Sequence, residues 1–106
     1  MDIAVSINKI HIRLTDERWR HITISHNDMA AHFYDILETI ENPKWVFHGD
    51  EENEFWAVKP FEERKVFLVI YKELKQERDG FIITAFITGK ITKLLKRKIL
   101  WQQLPR

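Results

Sequence analysis

The chain contains no cysteine, so any nucleophilic or proton-transfer step must use histidine, lysine, tyrosine, hydroxyl or carboxylate groups. Thiolate zinc sites and iron–sulfur clusters are excluded for the same reason. Five histidines are available. His21 lies three residues after Arg18 and four before Ser25, a spacing that puts all three on one polar helix face opposite Trp19 and Ile22. Such a face presents an acid–base group beside a phosphate-binding cation. The same spacing lets His21 pair with Glu17 one turn back. His26 follows at a separation of about 140° around an ideal helix, which is not the i, i+4 arrangement of a helical metal pair. No metal or other cofactor is expected. His26 is also placed to interact with a helix C-terminus, and His32 shares a helix face with Asp35. His11 and His48 read as surface residues.

Lys59 and Lys72 stand at the borders of apolar runs, where a long cationic side chain either reaches over a sheet face or extends into water. Tyr71 offers a phenol or a ring on which a base stacks, and equally a core residue. Thr84 interrupts Phe81-Ile82-Ile83 and, by strict period-two alternation, shares a strand face with Ile82 and Phe86. The formal net charge of +1 conceals a split: the last 18 residues carry six basic and no acidic side chains, leaving 11 basic against 16 acidic groups in the first 88. Lys93, Lys96 and Arg97 lie within that basic end, an electrostatic footprint for nucleic acid or an acidic partner, or a solvated helix face. Asp50, Glu51, Glu52 and Glu54 form an acidic counterpart.

These groups need a scaffold, and 106 residues with 44% hydrophobic content make a single domain, 1–106, able to fold on a core of its own. No run approaches the roughly 20 apolar residues of a membrane span, and Met1 to Leu14 alternates instead of forming a signal-type block, so a cytoplasmic protein is expected. Ile3, Val5 and Ile7, then Ile10, Ile12 and Leu14, give two short strands around Asn8-Lys9. Thr15 with Asp16 and Glu17 marks the start of a helix from about Asp16 to Ser25. A second helix opens at Asn27-Asp28, presents Met29, Phe33, Ile36, Leu37 and Ile40 to the sheet, and ends at Asn42-Pro43. Trp45 to His48 and Phe55 to Val58 form a hairpin around an acidic turn, closed by Pro60. The apolar runs Lys65 to Lys72 and Phe81 to Ile87 read as adjacent central strands covered on both faces. Ile91, Leu94, Leu95, Ile99 and Trp101 align as one face of a basic C-terminal helix, with Leu100 and Leu104 off that face. The expected class is α+β: a short N-terminal β pair and two helices, a four-stranded antiparallel meander and the C-terminal helix.

Several blocks carry a resemblance. Leu14-Thr15-Asp16-Glu17-Arg18-Trp19-Arg20-His21-Ile22 with His26, Asp35 to Pro43, Val69-Ile70-Tyr71-Lys72-Glu73 and Gly80 to Phe86 together resemble the prophage and toxin-type domains of the barnase, EndoU, colicin and RelE-like nuclease superfamily. The likeness covers roughly residues 14 to 88 and implies a RelE- or barnase-like fold. It also implies a metal-independent endoribonuclease that cleaves RNA by attack of a ribose 2′-hydroxyl, often the toxin of a toxin–antitoxin pair with a cognate antitoxin protein as partner. The matching positions would assign His21 and His26 to proton transfer, Lys72 and Arg18 to phosphate charge, and Thr84 to a positioning hydrogen bond. Lys59, Tyr71, Lys93, Lys96 and Arg97 would extend the RNA-binding surface. The chain has Asn27-Asp28 where the related pattern has Pro-Glu. A non-catalytic nucleic-acid or protein-binding domain on the same scaffold is the alternative reading.

Overall fold

In a computed structural model, residues 1–105 are described, and Arg106, the last of the basic residues, lies outside them. The chain begins with an antiparallel pair, β1 (Asp2–Val5) and β2 (His11–Leu14), joined by a turn in which Lys9 takes a positive φ. Thr15 caps α1 (Asp16–Ser25): its Oγ1 accepts from the Arg18 amide at 3.1 Å, and Asp16 and Glu17 occupy the first turn where the helix dipole favours them. A short 3₁₀ segment, Asn27–Ala31, leads to α2 (Phe33–Glu41). The continuous second helix expected from Asn27 is thus broken at His32. Of its predicted core face, Met29, Ile36 and Ile40 are fully buried, while Phe33 and Leu37 pack half-buried at its margin.

Four strands follow, β3 (Trp45–His48), β4 (Glu54–Glu62), β5 (Lys65–Leu74) and β6 (Asp79–Thr88), each antiparallel to the next. Pro60 sits inside β4 instead of closing it. This is tolerated because β3 pairs only with 55–58, so no neighbouring strand needs an amide proton at position 60 on that side.

The expected isolated four-stranded meander is overturned. The strands belong to one seven-stranded mixed sheet in the order β1-β2-β6-β5-β4-β3-β7, to which β2 attaches in parallel with β6 through His11, Ile12 and Arg13 opposite Asp79, Gly80 and Phe81. Arg13 and Asp79 clamp this junction with two hydrogen bonds of 3.1 and 2.8 Å. Gly80 is required there, since a Cβ would meet both Ile12 and the Lys72 carbonyl.

The expected C-terminal helix is also corrected. Only one turn, α3 (Ile91–Leu94), forms, and Ile99–Gln102 is β7, paired with β3. Three consecutive cations, Lys96-Arg97-Lys98, separate the two, and although Ile99, Leu100 and Trp101 stay exposed, the following β-favouring segment gains backbone pairing along the free edge of β3. The class remains α+β, with α1 and α2 on one face of the sheet and the single turn α3 on the other.

Each side of the sheet has its own apolar cluster. Ile22, Met29, Ile36 and Ile40 of the helical side pack on Ile12, Leu14, Val46, Ala57, Val69, Tyr71, Ile82 and Ala85. On the opposite side Phe47, Val58, Val66, Leu68 and Leu94 form a smaller buried cluster with Trp45, Trp56, Ile70, Phe86 and Ile91 packed against it. Among the described residues that second side carries no helix beyond the single turn α3 and is the more open of the two. Among the described residues no helix is long and apolar enough to cross a membrane.

Candidate nucleic-acid interface

The open side of the sheet carries the site. Cross-strand pairing sets Thr84 opposite Ile70 and Phe86 opposite Leu68, while Trp56 pairs with Ile70 and Glu54 with Lys72. Paired residues share a face. Thr84, Phe86, Trp56, Lys72 and Glu54 therefore all lie away from the helices. The single turn α3 and the loop after it rise along one edge, leaving a groove of about 680 Å³ with an apolar floor of Trp56, Leu68, Phe86 and Leu94 and a rim of Lys90, Lys93, Lys96 and Arg97. Lys90, Lys93 and Lys96 have no ion-pair partner among the described residues.

Arg97 is held from three directions. Its guanidinium lies 3.9 Å from the Trp56 ring centre, Nε donates to the His48 carbonyl oxygen at 3.0 Å, and Nη2 donates to Asp50 Oδ1 at 2.8 Å. Glu54 organises the surroundings: its Oε2 accepts from Trp56 Nε1 and from the Asp50 amide, both at 2.8 Å. Lys72 meets Glu51 at 2.8 Å. That hydrogen bond, with the charge of Glu51 behind it, keeps the Lys72 ammonium above the ordinary lysine range. Lys72 is consequently a fixed cation and not a proton acceptor near neutral pH. The acidic turn thus pairs with one cation of the basic segment, Arg97, and with Lys72 of β5.

His26, at the C-terminal end of α1, places its ring 5.1 Å from that of Phe86, tilted by 30°. It is half-buried beside a residue that lines the groove, and Thr84 is two residues from Phe86 on the same face. Lys93, Lys96 and Arg97 thus line the groove itself, while His26 touches it through Phe86 and Thr84 lies on the same strand face as Phe86 without lining it.

The remaining sequence-derived candidates lie elsewhere. His21 is on the solvent side of α1, 60% exposed and 3.7 Å from Glu17, the alternative its spacing allowed. Arg18 is likewise exposed on that helix. Lys59 faces the helical side and bonds Glu38 of α2 at 3.0 Å, which lowers the Glu38 carboxyl below its ordinary range. Tyr71 is the clearest displacement: expected on an RNA-binding surface, it is wholly buried under the helices and stacked on Phe55 at 5.5 Å. Burial, followed by the charge of Glu73, pushes its phenol far above the ordinary tyrosine range. His32 bonds Asp35 at 2.9 Å and packs between Phe61 and Phe67.

Trp56, Phe86 and Asp50 were not legible as site residues. The face of Phe86 depends on strand register, and the role of Asp50 depends on a contact 47 residues away in sequence. Compared with known proteins, the chain matches no family model, no curated protein sequence and no solved structure.

Proposed function

We propose that the groove binds RNA and that the protein is a metal-independent, toxin-like endoribonuclease of the kind its motif blocks resemble. The observation that carries this reading is the seating of His26 against Phe86 at a groove with an aromatic floor and a basic rim. Aromatic floors accept bases and cationic rims accept phosphates. In the reaction a ribose 2′-hydroxyl attacks the adjacent phosphate, the bond to the 5′-oxygen breaks, and a 2′,3′-cyclic phosphate and a 5′-hydroxyl result. His26 carries the proton transfer, Lys93, Lys96 and Arg97 offset charge on the phosphorane, and Thr84 contributes a positioning hydrogen bond. His21 is outside this assignment because it faces solvent and pairs with Glu17. The same reading puts the protein in the cytoplasm, with an inhibitory partner protein able to cover the groove.

The test is cleavage of a labelled RNA by the purified protein in excess chelator. His26→Ala should reduce the rate by about 100- to 10,000-fold, whereas His21→Ala should leave it within a few-fold. Wild-type rates in the His26→Ala variant would refute the assignment.

A second reading, RNA binding without turnover, is favoured by one observation: among the described residues only the imidazole of His26 packs against a ring of the groove floor, His48 meeting the rim through its carbonyl, while transesterification uses both an acid and a base. Tight, salt-sensitive binding with no cleavage of any RNA would establish it.

A further inference from the structure

The basic rim is not uniform. Lys90, Lys93 and Lys96 are long, exposed side chains without ion-pair partners among the described residues, but Arg97 is fixed at three points by groups that a groove made only to attract anions would not require. One of those groups is a carboxylate, which taken alone repels phosphate.

We propose that Asp50 and Trp56 are positioning residues for Arg97, holding its guanidinium as the pre-formed phosphate anchor of the groove. This inference rests on the RNA-binding reading above. Trp56 covers one face of the guanidinium, the His48 carbonyl takes Nε and Asp50 takes one Nη2 proton, so the second Nη2 proton and both Nη1 protons are left for a ligand. Arginine binds phosphate through a planar fork, and a fork already ordered loses little rotamer freedom when the ligand arrives. Glu54 completes the arrangement. By accepting from both the Asp50 amide and Trp56 Nε1, it holds the two positioning groups in register with each other.

Simple electrostatics and positioning predict opposite signs. If Asp50 acts only as a negative charge beside a basic groove, Asp50→Ala should tighten RNA binding. If it positions Arg97, Asp50→Ala should weaken binding by about 3- to 10-fold, the cost of ordering one long side chain anew. Asp50→Asn retains a hydrogen-bond acceptor and removes the charge, so it should bind at least as tightly as wild type. The measurement is fluorescence anisotropy with a labelled 12-nucleotide 2′-O-methyl oligoribonucleotide, which lacks the attacking hydroxyl and cannot be cleaved by this route. The Nε–Hε resonance of Arg97 in ¹⁵N spectra of the free protein, assigned by its loss in Arg97→Lys, reports the positioning without any ligand. It should be sharp in wild type and Asp50→Asn and broadened by solvent exchange in Asp50→Ala and Trp56→Leu.

Weaker binding in Asp50→Ala, restored in Asp50→Asn and accompanied by a broadened Arg97 signal, supports the proposal. Equal or tighter binding in Asp50→Ala, or an unchanged Arg97 signal, overturns it and leaves the RNA reading in place. Failure of the wild-type protein to bind the oligonucleotide overturns the RNA reading itself, and the anchor role of Arg97 with it.

Discussion

Replacing Tyr71 with phenylalanine removes one oxygen from the interior and is expected to make the protein more stable. Tyr71 has no exposed surface, and its Oη has no hydrogen-bond partner among the described residues. A buried hydroxyl without a partner carries a desolvation cost of about 1–3 kcal/mol, which the substitution returns. Against this stands the small void left by the oxygen, worth roughly 0.3 kcal/mol at the usual cost per unit of cavity volume. The stacking on Phe55 at 5.5 Å is preserved, as are the bonds that Glu73 accepts from Ser6 and Asn8. The net expectation is a gain of about 0.7–2.7 kcal/mol, or a rise in Tm of at least about 3 °C for a domain of this size. Thermal melts followed by circular dichroism, together with urea unfolding at constant m, measure it. RNA binding should be unchanged, because Tyr71 lies on the helical side of the sheet and the groove on the other. A variant less stable than wild type would refute the argument, since it would mean that the hydroxyl is satisfied. Loss of RNA binding with the fold intact would refute the separation of the two faces.

Four further outcomes are expected. Ile36→Ala, at a fully buried position, should cost about 2–5 kcal/mol in urea unfolding, and half-buried Leu37→Ala clearly less; equal costs would mean that α2 is rotated. Gly80→Ala should destabilise by about 1–3 kcal/mol, because the added methyl would press on the Lys72 backbone as well as on the Ile12 side chain. In alkaline titration at 295 nm, buried Tyr71 should not ionise while the protein stays folded. With its pKa raised in the folded state, the contribution of Tyr71 to stability is complete below about pH 10 and declines above it, so its phenolate should appear only with unfolding. Neutralising Lys90, Lys93 and Lys96 together should reduce the slope of log K against log salt for single-stranded RNA by about two units, and an unchanged slope would assign these lysines to solvent.

Much of this chain is written in local signals. The Thr15 cap with its carboxylates, the apolar spacing of α2 and the long runs of β5 and β6 each depend on residues within a few positions of one another, which the backbone reads without help from the rest of the fold. The uneven distribution of charge was equally plain, and it led to the basic rim. Long-range pairing decided the rest. Ile99 to Gln102 has the composition of a strand and nearly the spacing of a helix, and only the free edge of β3 determines which it becomes. The parallel attachment of β2 to β6 leaves no local mark beyond the glycine it requires. The site depended most on a single extra residue. In β6 the register shifts between Ile82 and Thr84, leaving Ile83 as a bulge, so Thr84 and Phe86 lie on the groove side of the sheet while Ile82 faces the helices, although strict alternation puts all three on one face. A one-residue slip in a strand reverses every side chain beyond it, and whether it occurs is settled by what the neighbouring strand and the two cores will accept, a condition that exists only once the sheet has assembled.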